Sequence, residues 1–173
     1  MVDLGSLGGT YGSQARAING SGVIVGQSDI SAGGARAFRW DATNGMSSIG
    51  VLPGGDSSFA WAINTAGAIT GRSDIATGRH AFLWDSLIGM QDLGDLPGGF
   101  DVSEGYGINN SEMVVGVSSS SAGWRAFVWD ATNGMIDIGA GGARGLNNLN
   151  QVVGYDGSGN AFLWTQSQGM VDL

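Results

Sequence analysis

Apolar residues along this chain fall in short runs of roughly four to six, punctuated by glycine, asparagine and aspartate, and no segment sustains a 3.6-residue period. The pattern predicts short strands joined by tight turns, and no helix. Its most regular run is x-Ala-Phe-x-Trp: RAFRW at 36–40, HAFLW at 80–84, RAFVW at 125–129 and NAFLW at 160–164. Side chains of an extended segment alternate between faces, so Phe38 and Trp40 share one face while Ala37 and Arg39 take the other. Leu83, Val128 and Leu163 stand where Arg39 stands, which makes both faces mostly apolar. Such a strand belongs in a sheet covered on both sides.

The whole chain repeats around this run. A turn and a methionine follow each copy (Met46, Met90, Met135, Met170), then a short strand that in three copies ends in glycine. A glycine-rich connection comes next, LPGG at 52–55 and 96–99. A strand of small residues ends at Asn19, Asn64, Asn109 and Asn147, and an apolar strand closes on Gly26, Gly71, Gly116 and Gly154. The repeat units are 1–45, 46–89, 90–134 and 135–169, with a terminal strand at 170–173, all within one domain spanning 1–173. NGSG at 19–22 and DATNG at 41–45 and 130–134 read as hairpin turns, because Asn and Gly tolerate positive φ.

Four strands repeated radially is the propeller pattern. The expected fold is therefore all-β: a small, closed, four-bladed β-propeller with four antiparallel strands per blade and one surplus terminal strand. The small-residue strands, with Ala15, Ala17, Ala60, Ala62, Gly105 and Gly107, are expected beside its axis, where sheets crowd together.

The x-Ala-Phe-x-Trp strand, the Ile-Asn turn with its Val-Val-Gly strand, and the Asp-Leu-Gly connection together resemble the HAF repeat, whose triplet stands here as His80-Ala81-Phe82. The resemblance covers nearly the whole chain. It implies a bacterial, extracellular or cell-surface repeat protein of propeller-like architecture, and it carries no chemistry. Arg36, Arg125 and Asn160 replace the histidine in the other copies, so a role needing imidazole in every repeat has no support.

Met1-Val2-Asp3-Leu4 matches Met170-Val171-Asp172-Leu173 residue for residue. Three readings are open: the N-terminal copy closes the ring, the C-terminal copy closes it, or the chain is a slice of a longer array. In the first two a spare strand is left with unpaired amides and carbonyls, able to dock on another copy by strand addition. That contact is heterologous, and it propagates as a filament unless rotation closes a ring.

Composition narrows the function classes. Seven basic residues against fifteen acidic ones, a net charge of −8, exclude a basic nucleic-acid footprint and disfavour an anionic membrane surface. No apolar stretch is long enough to be inserted in a bilayer, and no charged-then-apolar leader opens the chain, so an exported form is expected to have had its signal removed. The absence of cysteine excludes disulfides, thiolate metal sites and a cysteine nucleophile.

No catalytic residue, cofactor or metal is expected. His80 is the only histidine and no serine sits in a nucleophile turn. Asp3, Asp92, Asp137 and Asp172 recur with the repeat and are expected to cap turns or face solvent, and Asp95 and Asp101 flank LPGG, where calcium is a minor reading. Trp40, Trp84, Trp129 and Trp164 are expected in the core. Arg16, Trp61, Tyr106 and Arg144 occupy one repeat position and are expected to gather around the axis, either as a plug held by cation–π contacts or as a carbohydrate-binding cluster. Asn19 and Asn109 fit the N-glycosylation pattern but sit at turns the repeat itself demands. The leading expectation is a non-catalytic, self-associating structural module that forms an oligomer or filament, with glycan or small-ligand binding as the alternative.

Overall fold

The computed structural model describes residues 2–173, so Met1 of the proposed N-terminal assembly strand lies outside the described residues. Fifteen strands form three antiparallel sheets. The first holds β1 (Gly8–Ile18), β2 (Ile24–Ile30), β3 (Ala35–Asp41) and β4 (Gly45–Ser48). The second holds β5 (Ser58–Ile63), β6 (Ile69–Asp74), β7 (Arg79–Asp85) and β8 (Gly89–Asp92). The third runs β9 (Ser103–Ile108), β10 (Val114–Ser120), β11 (Gly123–Asp130), β12 (Gly134–Leu146), β13 (Val152–Asp156), β14 (Ala161–Thr165) and β15 (Gly169–Asp172). Strand order in every sheet is chain order, and no helix is present among the described residues.

These sheets correct the expected closed four-bladed propeller. The third and fourth repeats are not separate blades but one seven-stranded sheet. The cause is the missing LPGG connection. Where the first two junctions turn through that loop, β12 runs on for 13 residues, pairing first with β11 and then with β13. Gly139 and Gly141, at φ 142° and 114°, bend it between the two pairings in a conformation that residues with a Cβ rarely adopt. Nor is there a ring. Buried clusters join the first repeat to the second, the second to the third and the third to the fourth, while none joins the fourth to the first among the described residues. The terminal copies are also resolved: β15 pairs with β14 as the last strand of its sheet, and residues 2–4 lie in no strand.

Within each repeat the alternation expected from sequence holds. Phe38, Phe82, Phe127 and Phe162 are all fully buried. The Phe-Trp-Met face of each later repeat packs on the Ala-apolar face of the one before it. Phe82, Trp84 and Met90 meet Val25 and Ala37; Phe127, Trp129 and Met135 meet Ala81 and Leu83; Phe162, Trp164 and Met170 meet Ala126 and Val128.

A β-bulge recurs in the first strand of every repeat, at Arg16, Trp61, Tyr106 and Arg144. Two residues there oppose one, which pushes the strand against its neighbour and accounts for the glycine that closes each second strand. A Cβ on Gly26, Gly71, Gly116 or Gly154 would lie 1.9, 1.8, 1.8 or 2.1 Å from the carbonyl oxygen of Gln14, Phe59, Glu104 or Gly142.

Candidate functional site: open end faces and inter-repeat ladders

Two ladders of side chains cross the repeats. The first is built from the turn asparagines. Each Oδ1 accepts a backbone N–H four residues on (Val23, Ala68, Met113, Gln151), which fixes the side chain within its own turn. The Nδ2 then reaches the next repeat: Asn19 donates to Asn64 O at 3.1 Å, Asn64 to Asn109 O at 3.1 Å, and Asn109 to Asn147 O at 3.2 Å. Asn147, in the fourth repeat, donates instead to Gln151 Oε1 at 2.7 Å. The four turns line one shallow depression of about 380 Å³. A glycan on Asn19 or on the buried Asn109 would consume the Nδ2 that makes these rungs, so the structure gives the glycosylation pattern a structural use.

The bulge residues form the second ladder. Trp61 stacks on Tyr106 with centroids 4.9 Å apart and planes 21° apart, and the Arg144 guanidinium lies 4.1 Å over the other face of Tyr106. Arg72 lies 5.9 Å over Trp61, and Arg144 also meets Tyr155 at 5.3 Å. Tyr106 donates its hydroxyl to Glu104; burial and then that carboxylate push the phenol up to about 12. Glu104 also accepts from Arg72 at 3.3 Å and Arg79 at 2.7 Å. Three of the four expected cluster residues therefore meet, each from a successive repeat. Arg16 donates to Gln27 at 3.3 Å instead. Both faces of Tyr106 are covered by protein, an arrangement that favours the cation–π packing reading over sugar stacking.

His80 sits in neither ladder. Its Nδ1 faces Asp92 at 2.9 Å and its Nε2 faces Asp101 at 2.9 Å, so it ties β7 to β8 and to the connection leading into β9. Burial pushes its pKa down, but the hydrogen bonds and charges of Asp92 and Asp101 outweigh this and hold it above its ordinary value. Asp101 is held below the usual carboxylate range by the Thr77 hydroxyl and His80. His80, Asp95 and Asp101 bring one ligand-type atom each within 4.8 Å of one another. With a carboxylate on each ring nitrogen, however, the imidazole is held as a double donor, the wrong form for a metal ligand. The repeat aspartates cap as expected: Asp3, Asp92 and Asp137 accept from the N–H of Gly5, Gly94 and Gly139.

The remaining feature is what the succession leaves uncovered. On the face each repeat turns toward the next, Val25, Thr70 and Val115 are fully buried, whereas the equivalent Val153 is 46% exposed. Ala37, Ala81 and Ala126 are fully buried where Ala161 is exposed, and Leu93 at 6% becomes Leu173 at 79%. The opposite face is open at the other end. Ile69, Val114 and Val152 are buried, but Ile24 is half-buried, and Ile18 is exposed where Ile63 and Ile108 pack into clusters. The structure therefore places Val171 and Leu173 on one open end and Val2, Asp3 and Leu4 beside the other. Sequence reasoning found these terminal segments but missed the open faces behind them, because it expected a ring.

No protein-family model matches the chain, and comparisons with curated proteins and with solved structures return no similar protein.

Proposed function

We propose that the protein is a non-catalytic, self-assembling repeat module whose copies associate head to tail, the fourth repeat of one against the first repeat of the next. One observation carries this reading. The chain stacks the same pair of faces against each other three times internally and leaves one of each uncovered, at opposite ends. A second copy supplies the missing half of each, so the occupant fits by the same complementarity that holds the molecule together. The asparagine ladder points the same way: Asn147 Nδ2 bonds within its own turn to Gln151, and the Asn19 carbonyl accepts only the Gly22 N–H of its own turn, with no inter-repeat rung at either end among the described residues. A heterologous contact of this kind extends to a string, or closes to a ring where the rotation allows.

Sedimentation velocity over a concentration series tests the proposal. The wild-type chain is expected to gain mass with concentration. Val153→Asp is expected to stay a single chain with an unchanged melting temperature, because that side chain already faces solvent in the monomer. Wild-type protein that remains monomeric at millimolar concentration, or a variant that assembles as wild type does, would overturn it.

A further inference from the structure

The residues ahead of β1 dock on the first repeat as the internal connections dock on theirs. Gly5 O accepts from Ser13 Oγ at 2.7 Å, as Gly50 O accepts from Ser58 at 2.6 Å and Gly94 O accepts from Ser103. Leu7 N donates to Ser28 Oγ at 2.9 Å, as Leu52 and Leu96 N donate to Ser73 and Ser118, also at 2.9 Å. In the internal cases the residues just before such a connection are β4 and β8, the outermost strands of the preceding sheet. Residues 2–4 are thus held where the outermost strand of a preceding repeat would run, without the neighbouring strand that would pair with them.

When the first repeat of a second copy seats on the fourth repeat in the internal geometry, its residues 2–4 fall on the place β15 occupies. Val2-Asp3-Leu4 is identical to Val171-Asp172-Leu173, so the β14 pairings those residues make are available to the newcomer: Leu163 with Val171, Phe162 with Asp172, and Leu173 N to Ala161 O at 3.0 Å. One site cannot hold both strands. Building on the head-to-tail reading above, we infer that β15 is an intramolecular cap that occupies the strand-acceptor site of β14, and that assembly proceeds by exchange of β15 for the second copy's Val2–Leu4. Exchange of one strand for its twin leaves the ladder unchanged. The docking of Ala15, Ile18 and Ile24 against Val153, Ala161 and Leu163 is then the net gain that drives it. The same seating brings Ser13 Oγ of the second copy to Ala161 N, repeating the bonds from Ala37 N to Ser58 and from Ala81 N to Ser103, both 2.9 Å.

The chain has no cysteine, so introduced pairs report cleanly. Leu163→Cys with Val171→Cys joins two directly opposed residues of β14 and β15. Oxidised, this lock is expected to abolish mass gain in sedimentation; reduced, the same protein is expected to assemble, which controls for the substitutions themselves. Val2→Cys with Leu163→Cys is expected to give covalent ladders of oligomers on oxidation at assembling concentrations. Assembly that persists with the lock closed, or that yields no intermolecular Val2→Cys/Leu163→Cys disulfide, overturns the exchange while leaving head-to-tail association standing. Absence of assembly in wild type and in the reduced lock alike overturns both.

Discussion

Val115 and Val153 occupy the same place in their repeats, one residue before the bulge-facing glycine and paired with Val128 and Leu163 respectively. One is fully buried and the other nearly half exposed. The difference is one of cover: within residues 2–173 the fourth repeat packs over Val115, and no described residue packs over Val153 in the same way. Burial in this fold is thus a property of place in the succession, whereas strand, turn and bulge are properties of each repeat alone. The same division runs through Leu93 and Leu173, and through Asn64 and Asn147. What a stacked repeat array leaves open at its ends is the surface it buries inside, and such surfaces need caps or partners.

Substitutions can separate the two kinds of property. Gly116→Ala and Gly154→Ala are expected to cost about 3 kcal/mol or more each, the upper end of overpacking penalties, because each Cβ would run into a backbone carbonyl across the bulge. The cost should be the same at the two positions, since the clash lies within one repeat. Val115→Ala and Val153→Ala should behave differently. Removing two buried methyl groups at Val115 is expected to lose about 2 kcal/mol. At Val153 the loss should stay within about 0.5 kcal/mol. Chemical denaturation of the four variants, in dilute solution where the chain is monomeric, reads both contrasts. Unequal glycine costs or equal valine costs would break the distinction.

The local half of this division was legible in the sequence. Period-2 alternation around each Phe-x-Trp placed the two faces, the Asn-Gly and Asp-to-Gly segments placed the turns, and the recurring methionines marked the strand that follows. The bulge was not legible: Arg16, Trp61, Tyr106 and Arg144 alternate with small residues as any strand would, and only the recurring glycine opposite hinted at a crowded carbonyl. Closure of the ring was not legible either, because four repeats fix the number of faces but not the angle between successive sheets. The one available signal was the fourth repeat's short connection. After Gly139, the counterpart of Gly50 and Gly94, only Ala140-Gly141-Gly142 stands where the other junctions carry Leu-Pro-Gly-Gly, and without that turn β12 runs through. The candidate interface was found from the twinned termini, while the faces that make it worth occupying had been assigned to a closed ring.

The inner junctions also differ from one another, and pH should resolve them. Between the second and third repeats His80 is clamped by Asp92 from β8 and Asp101 from the connection, with Asp95 close by; between the third and fourth the equivalent Arg125 pairs only with Asp137 of its own hairpin, at 2.8 Å. The His80 pKa is raised in the folded chain, where the two aspartates overcome the opposing effect of burial. The folded state therefore holds a proton that the unfolded chain releases near the ordinary value of 6.5. Stability from this clamp is fully present below that value and is lost as pH rises through the folded-state pKa above it. Melting temperature is expected to fall modestly as pH rises past the ordinary imidazole value, and His80→Gln should flatten that part of the curve. Because the clamp belongs to one junction, amide exchange should quicken across that range at the edge of β9 more than in β13. A melting curve indifferent to pH across this window, or a loss of protection spread evenly over both junctions, would show that the two aspartates do not hold the imidazolium in place.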